Sequence, residues 1–192
     1  LSPHTLVQRA IEAFPGDLLQ DPSKALHEFL IDRLKGYLRD GGASPSEVDA
    51  LIHTPHLAEW ASIPKRLAAI RAFAALPEAP ALAAANKRIG NILKKAPEVD
   101  PHVSEVLLQE PAEVALYAAM QQVVPQAEAS FASGEYAAAL QALAALRAPV
   151  DAFFDGVMVN AEALDLRLNR QGLLQSLHNA MNRVADLSRL AT

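Results

Sequence analysis

Two short runs hold the residue types that bind polyanions. The first, Asn86-Lys87-Arg88-Ile89-Gly90-Asn91-Ile92-Leu93-Lys94-Lys95, is the one dense basic stretch of the chain. At about 100° of helix per residue, Lys87, Arg88, Asn91, Lys94 and Lys95 fall within an arc of roughly 120°, with Ile89, Ile92 and Ala96 opposite. Four cations on one face suit a row of phosphates. The competing use is a solvated helix face whose cations complement the helix dipole. The second run is Arg167-Leu168-Asn169-Arg170. Its two guanidinium groups stand one helical turn apart, where both can fork onto phosphates or a guanine edge. Salt bridges to Glu162, Asp165 or Asp155 would instead use the same arginines internally. Just before it, Val159-Asn160-Ala161-Glu162 has weak helical periodicity and reads as a connection able to hold unstacked bases, with Asn160 as its polar side chain.

Other chemistries lack their residues. His53-x-x-His56 is the only close histidine pair, yet Pro55 lies between its members and no carboxylate-rich metal motif accompanies it, so no metal site is expected. The chain has no cysteine, which removes disulfides and thiolate metal sites. A Gly-x-x-x-x-Gly-Lys-Ser/Thr loop, a Gly-x-Ser-x-Gly elbow, a His-Glu-x-x-His motif and a His-Asp dipeptide are all missing from the sequence. No catalytic residue is expected, and no cofactor is expected to be held by this chain.

The elements that must position the two runs read as helices throughout. Alanine and leucine dominate over β-branched and aromatic residues, which disfavours sheet and makes an all-α helical bundle the expected fold. A first helix begins near Pro3 with Leu6, Val7, Ala10, Ile11 and Phe14 on one face, and stops at Pro15-Gly16. A second follows Asp21-Pro22 with a Leu26, Phe29, Leu30, Leu34, Leu38 stripe, ending at Gly41-Gly42. Ser44-Pro45-Ser46-Glu47 has the pattern of a reciprocal capping box opening a short third helix. After Thr54-Pro55, Leu57, Trp60, Leu67, Ile70 and Phe73 continue the apolar pattern up to Pro77, with a break at Pro64.

Glu78-Ala79-Pro80 reads as a linker, dividing a helical segment over 1–78 from a second unit over 79–192. Within the latter, a helix over 81–96 closes at Pro97, and 98–110 is mainly a connection. Helices are expected from Ala112 to about Val124, from about Ala127 to Phe131 and from Glu135 to Leu146, the last two separated by Ser133-Gly134. Pro149 suits the first turn of the next helix, whose inner face carries Val150, Phe153, Phe154 and Val157. The last helix is marked by Leu173, Leu174, Leu177, Ala180, Met181, Val184 and Leu187 at three- and four-residue steps. Gly172 is expected to loosen its first turns by up to ~1 kcal/mol relative to alanine.

Bulk properties set the electrostatic frame. The 192 residues carry a formal net charge of −5, which argues against coating of duplexes. The charge is uneven: residues 1–96 hold 12 Lys and Arg against 10 Asp and Glu, and residues 97–192 hold 5 against 12. Any nucleic-acid contact must therefore use local patches. No run approaches the roughly 18 apolar residues of a membrane span. The N-terminus, Leu1-Ser2-Pro3-His4, has neither an initiator Met nor the pattern of a signal peptide, so a piece of a longer protein is expected.

The order Leu146-Arg147-Ala148-Pro149-Val150-Asp151-Ala152-Phe153-Phe154-Asp155, followed by Val157-Met158-Val159 and Asn169-Arg170, closely resembles the C-terminal anticodon-binding domain of bacterial glycyl-tRNA synthetase β subunits. Asn86-Lys87-Arg88 with Asn91-Ile92-Leu93 is similar to a further signature of that family, and Phe29 to Leu38 resembles the segment before it. Asn160 and Gln171-Gly172 depart from the family, which often has Met and Leu-Ala there. The resemblance implies a helical anticodon-binding domain of the class Ia synthetase type, preceded by an additional helical segment. It also implies a non-catalytic part of a cytoplasmic glycine–tRNA ligase, with glycine tRNA and a separate α subunit as partners in a heterotetramer whose holoenzyme uses ATP and Mg. The site residues expected to meet RNA are Lys87, Arg88, Asn91, Lys94, Lys95, Asn160, Arg167, Asn169 and Arg170. The alternatives are the related domain of an arginyl-type synthetase and, from Ser133-Gly134-Glu135-Tyr136, a tetratricopeptide-like interaction module. No second copy of that unit recurs at the 34-residue spacing.

Overall fold

The computed structural model describes residues 2–16, 18, 20–54, 59–96 and 98–191. Among them there are nine α-helices and no strand. They are α1 Pro3–Glu12, α2 Ser23–Asp40, α3 Pro45–Ile52, α4 Ile63–Ala74, α5 Ala79–Leu93, α6 Pro111–Ala132, α7 Tyr136–Ala144, α8 Arg147–Gly156 and α9 Leu164–Met181. The fold is all-α. Leu1, Pro55, His56, Leu57 and Pro97, which entered the reading of the sequence, lie outside the described residues.

The ends of these helices follow local chemistry. Ser44 Oγ accepts from the Glu47 N–H at 3.2 Å and Glu47 Oε2 accepts from the Ser44 N–H at 2.7 Å, the reciprocal box that opens α3. Glycine supplies the left-handed turn between α6 and α7, where Gly134 has φ +77°. Pro64, Pro80, Pro111 and Pro149 all sit near helix starts, where the missing N–H costs nothing.

One connected core joins α3 through α9 and takes in Leu34 and Leu38 at the end of α2, with Leu51, Ile70, Phe73, Leu82, Ile89, Leu116, Leu140, Phe153, Leu173 and Leu177 fully buried. Helix α6 packs on α7, α8 and α9, while α4 leans on α7, and α5 lies against α8 and α9. Burial of this size is the main stabilising term for a helical domain. By contrast α1 buries nothing, and α2 buries only Leu34 and Leu38, leaving Phe14 and Phe29 more than half exposed. The apolar stripes of these two helices meet each other and leave Val7, Ile11, Leu26 and Leu30 only half-buried.

Four expectations are corrected. Residues 112–131 form one helix rather than two, because Pro125 faces outward on α6 while Met120 and Ala127 on either side are buried in the core. Glu78-Ala79-Pro80 is no extended linker: after a tight turn, with Ala79 N–H on Leu76 O at 3.1 Å, the chain swings by 110° directly into α5. Helix α9 stops at Met181, although its apolar spacing runs on to Leu187. Asn182 ends it, donating to His178 O at 2.8 Å and accepting from the Leu187 N–H at 3.1 Å, while its backbone carbonyl accepts from Thr54 Oγ1 at 3.1 Å. Arg66 Nη1 then takes the carbonyls of Arg183 and Val184 at 3.0 and 2.7 Å. These tertiary bonds replace the helical ladder, and residues Leu187–Leu190 close the chain as a 3-10 turn.

Gly172 is the fourth. A Cβ there would lie 2.6 Å from His102 O and 2.9 Å from Asp100 O, so the glycine lets the 100–102 connection run against α9. It is a packing requirement rather than a weakness of the helix.

Candidate nucleic-acid interface

Helix α5 has two faces with different fates. Leu82, Ala83, Ala85 and Ile89 are buried, and Asn86 is buried with them because its carboxamide pairs reciprocally with Asn182, at 2.8 and 3.1 Å. The opposite face exposes Lys87, Arg88, Asn91 and, just past the helix end, Lys94 and Lys95.

Facing that side is the connection between α8 and α9. Val157 and Val159 are buried and anchor it, leaving Asn160 exposed between α5 and α9. The result is an open cleft of about 500 Å³ whose lining includes Lys87, Arg88, Asn91, Lys95 and Asn160, with Ala84, Ile92 and Ala96 as apolar wall and Gln171 at the α9 side. Among the described residues no carboxylate lines it. Three cations converge there in a chain that is acidic as a whole, which makes the cleft a local attractor for anions. The Arg88 guanidinium stacks over the Phe154 ring at 4.2 Å, which holds its plane while leaving its N–H edges available.

Lys94 belongs elsewhere. With Lys87 and Asn91 it borders a second depression shared with Asp49, His178, Asp186 and Arg189, where the charges are mixed. Burial lowers the His178 imidazole pKa below its ordinary value, and nearby Lys94 works in the same direction against Asp186.

The run on α9 does something different from what its spacing suggests. Arg170 is buried and its guanidinium forks onto Glu113 of α6, Nε to Oε1 at 2.7 Å and Nη2 to Oε2 at 3.2 Å. Its remaining Nη1 donates to Met158 O at 2.9 Å, pinning the connection that presents Asn160. Glu113 is fully buried and also accepts the Gln109 and Glu110 N–H groups at 3.1 and 2.8 Å, capping α6. Burial would raise its carboxyl pKa, but the hydrogen bonds from Arg170 and from those N–H groups outweigh it and hold the value below the ordinary range. The partner is thus none of Glu162, Asp165 and Asp155.

Asn169 is also internal, accepting from the Ser104 N–H at 2.7 Å and donating to Ser104 O at 3.1 Å, so it clamps the loop before α6. Half-buried Arg167 donates to Ala161 O at 3.2 Å. Of the nine expected contact residues, five gather in the cleft and Lys94 stands beyond it. Asn169 and Arg170 are buried and spend their hydrogen bonds inside the protein rather than in the cleft, and Arg167 braces the connection. Gln171, noted in the sequence only as a departure from the family pattern, also lines the cleft.

His53 Nδ1 bonds the Asp49 carbonyl at 2.9 Å. Among the described residues no three metal-ligating side chains gather, and no single helix is long and apolar enough to cross a membrane.

Residues 82–187, from the buried start of α5 to the final turn, match the DALR anticodon binding domain. The chain belongs to the DALR anticodon binding domain family. The relatives of this domain's sequence are consistent with one another. The chain is 71% identical over 176 residues to the glycine–tRNA ligase beta subunit of Polaromonas naphthalenivorans, an alignment covering 91% of the chain and 25% of the relative. The glycine–tRNA ligase beta subunits of Paracidovorax citrulli and of Acidovorax sp. strain JS42 are 65% and 64% identical, over 97% of the chain and 26% of each relative. The DALR-family chain thus spans about a quarter of the length of the relatives it matches.

Proposed function

We propose that this chain recognises the anticodon arm of glycine tRNA as a non-catalytic part of a glycine–tRNA ligase beta subunit. The observation that carries the reading is the carboxylate-free cationic cleft, which lies between α5 and α9 within the span that matches the anticodon-binding family. Lys87, Arg88 and Lys95 supply phosphate contacts, and Asn91 and Asn160 hydrogen-bond RNA between them. Residues 79–192 carry this recognition. Residues 1–78 brace it, with α3 against the final turn and α4 against α7. Arg170, Asn169 and Arg167 act by positioning, since they fix the 157–163 connection and the loop before α6.

In this reading an α subunit and the remainder of the beta subunit provide the ATP- and Mg-dependent attachment of glycine, in a cytoplasmic heterotetramer. The test is equilibrium binding of the protein to glycine tRNA and to an anticodon-swapped version across a salt series. Tighter binding of the first at every salt supports the reading, with affinity falling steeply as salt rises. Equal affinity for both RNAs, or none for either, overturns it.

A further inference from the structure

Three neighbours on α9, Asn169, Arg170 and Gln171, are all nearly buried, at 5%, 5% and 6% exposure. The first two spend their polar atoms on the protein. Among the described residues the Gln171 carboxamide makes no hydrogen bond to the protein, yet it is not among the sealed, unpartnered polar atoms, of which Arg183 Nε is the single case. Its amide tip therefore keeps contact with solvent, and the solvent it can reach is the cleft it lines. An amide in the wall of a cleft, unpaired within the protein and mostly desolvated, is costly unless something satisfies it.

The surroundings define what that something is. The lining offers three cations and the aliphatic side chains of Ala84, Ile92 and Ala96, and about 500 Å³ leaves room for one planar heterocycle. A carboxamide places an acceptor beside a donor, which matches the paired groups on the hydrogen-bonding edge of a nucleobase.

We infer that Gln171 is a specificity-determining residue, its carboxamide pairing with the edge of one unstacked nucleobase inserted into the cleft while the Lys87, Arg88 and Lys95 side chains hold the flanking phosphates. This rests on the RNA-binding reading above. The side chain is held on a rigid helix whose two preceding residues are locked to Glu113 and Ser104, so the amide is pre-positioned for its partner.

The test compares Gln171→Leu, Gln171→Glu and the pair Lys87→Ala with Lys95→Ala in the full-length protein, against glycine tRNA and a panel of single-base anticodon variants over a salt series. Gln171→Leu is expected to lose about 5- to 100-fold in affinity for the cognate RNA and to flatten the preference at one anticodon position, with the salt slope unchanged. Gln171→Glu, nearly the same size and with its carboxylate beside the three cleft cations, is expected to alter the preference at that same position, and its fold is checked by thermal melting. Should Gln171→Leu fail to fold, the glutamate variant decides. Unchanged base preference in both folded variants, with the lysine pair still reducing the salt slope, overturns the role of Gln171 and leaves the cleft standing. If the lysine pair has no effect either, the RNA-binding reading itself fails.

Discussion

The basic run on α5 and the arginine run on α9 draw on the same residue types, and the fold puts them to opposite uses. On α5, Ile89 and Leu82 turn inward, so Lys87, Arg88 and Lys95 have water and a cleft in front of them. On α9, nearly the whole circumference is enclosed by α5, α6 and the 100–104 connection, so Asn169 and Arg170 meet protein in every direction. A cation is free to bind a ligand only when no internal acceptor, carboxylate or carbonyl, claims it. Here Glu113, 57 positions away in sequence, decides the matter for Arg170.

The sharpest way to break this contrast is to remove the internal pair. Arg170→Ala leaves a buried, uncompensated carboxylate and is expected to cost about 3–5 kcal/mol in urea unfolding, whereas Lys87→Ala stays within about 0.5 kcal/mol of the parent. A small loss for Arg170→Ala would mean that the arginine is not clamped.

Acid provides a second route to the same pair. The folded Glu113 carboxyl titrates below its unfolded value, so the unfolded chain takes up that proton first as pH falls. The contribution is complete above the unfolded pKa of about 4.3 and is lost as pH drops through the lower folded one. Glu113→Gln should be less stable at neutral pH and should show a shallower loss of stability below that point. Parallel pH curves for the two proteins would contradict the assignment.

A smaller effect is expected at Gly172. Helix propensity alone favours alanine by about 1 kcal/mol, but a methyl group would press on the His102 and Asp100 carbonyls. The net expectation is a destabilisation of about 1–3 kcal/mol on thermal melting. A stabilised Gly172→Ala would show that the connection yields easily.

These cases also show what the sequence can reveal. The all-α class, the capping box at Ser44, the inward stripe of Leu173 and Leu177, and the outward row of Lys87, Arg88 and Asn91 depend on spacing within one helix, and local periodicity exposes them. The end of α9 at Met181, the continuity of α6 through Pro125 and the need for Gly172 depend on partners distant in sequence. Leu187 keeps the helical spacing, yet Thr54, Arg66 and Asn86 capture the residues around Asn182 first. The cleft was half visible. Its α5 wall could be read from charge spacing and Asn160 from its place in the connection, whereas Gln171 joins it only through the packing of α9 against α5.

The most direct measurement is the salt dependence of glycine tRNA binding by Lys87→Ala with Lys95→Ala, set beside the parent protein and with melting temperature recorded for both. Each lost phosphate contact should reduce the slope of log affinity against log salt by about 0.7–0.9. The account predicts a slope shallower by roughly 1.4–1.8, weaker binding to cognate and anticodon-swapped RNA alike, and an unchanged melting temperature. An unchanged slope in a protein that still binds RNA would place the phosphates elsewhere and contradict the central claim.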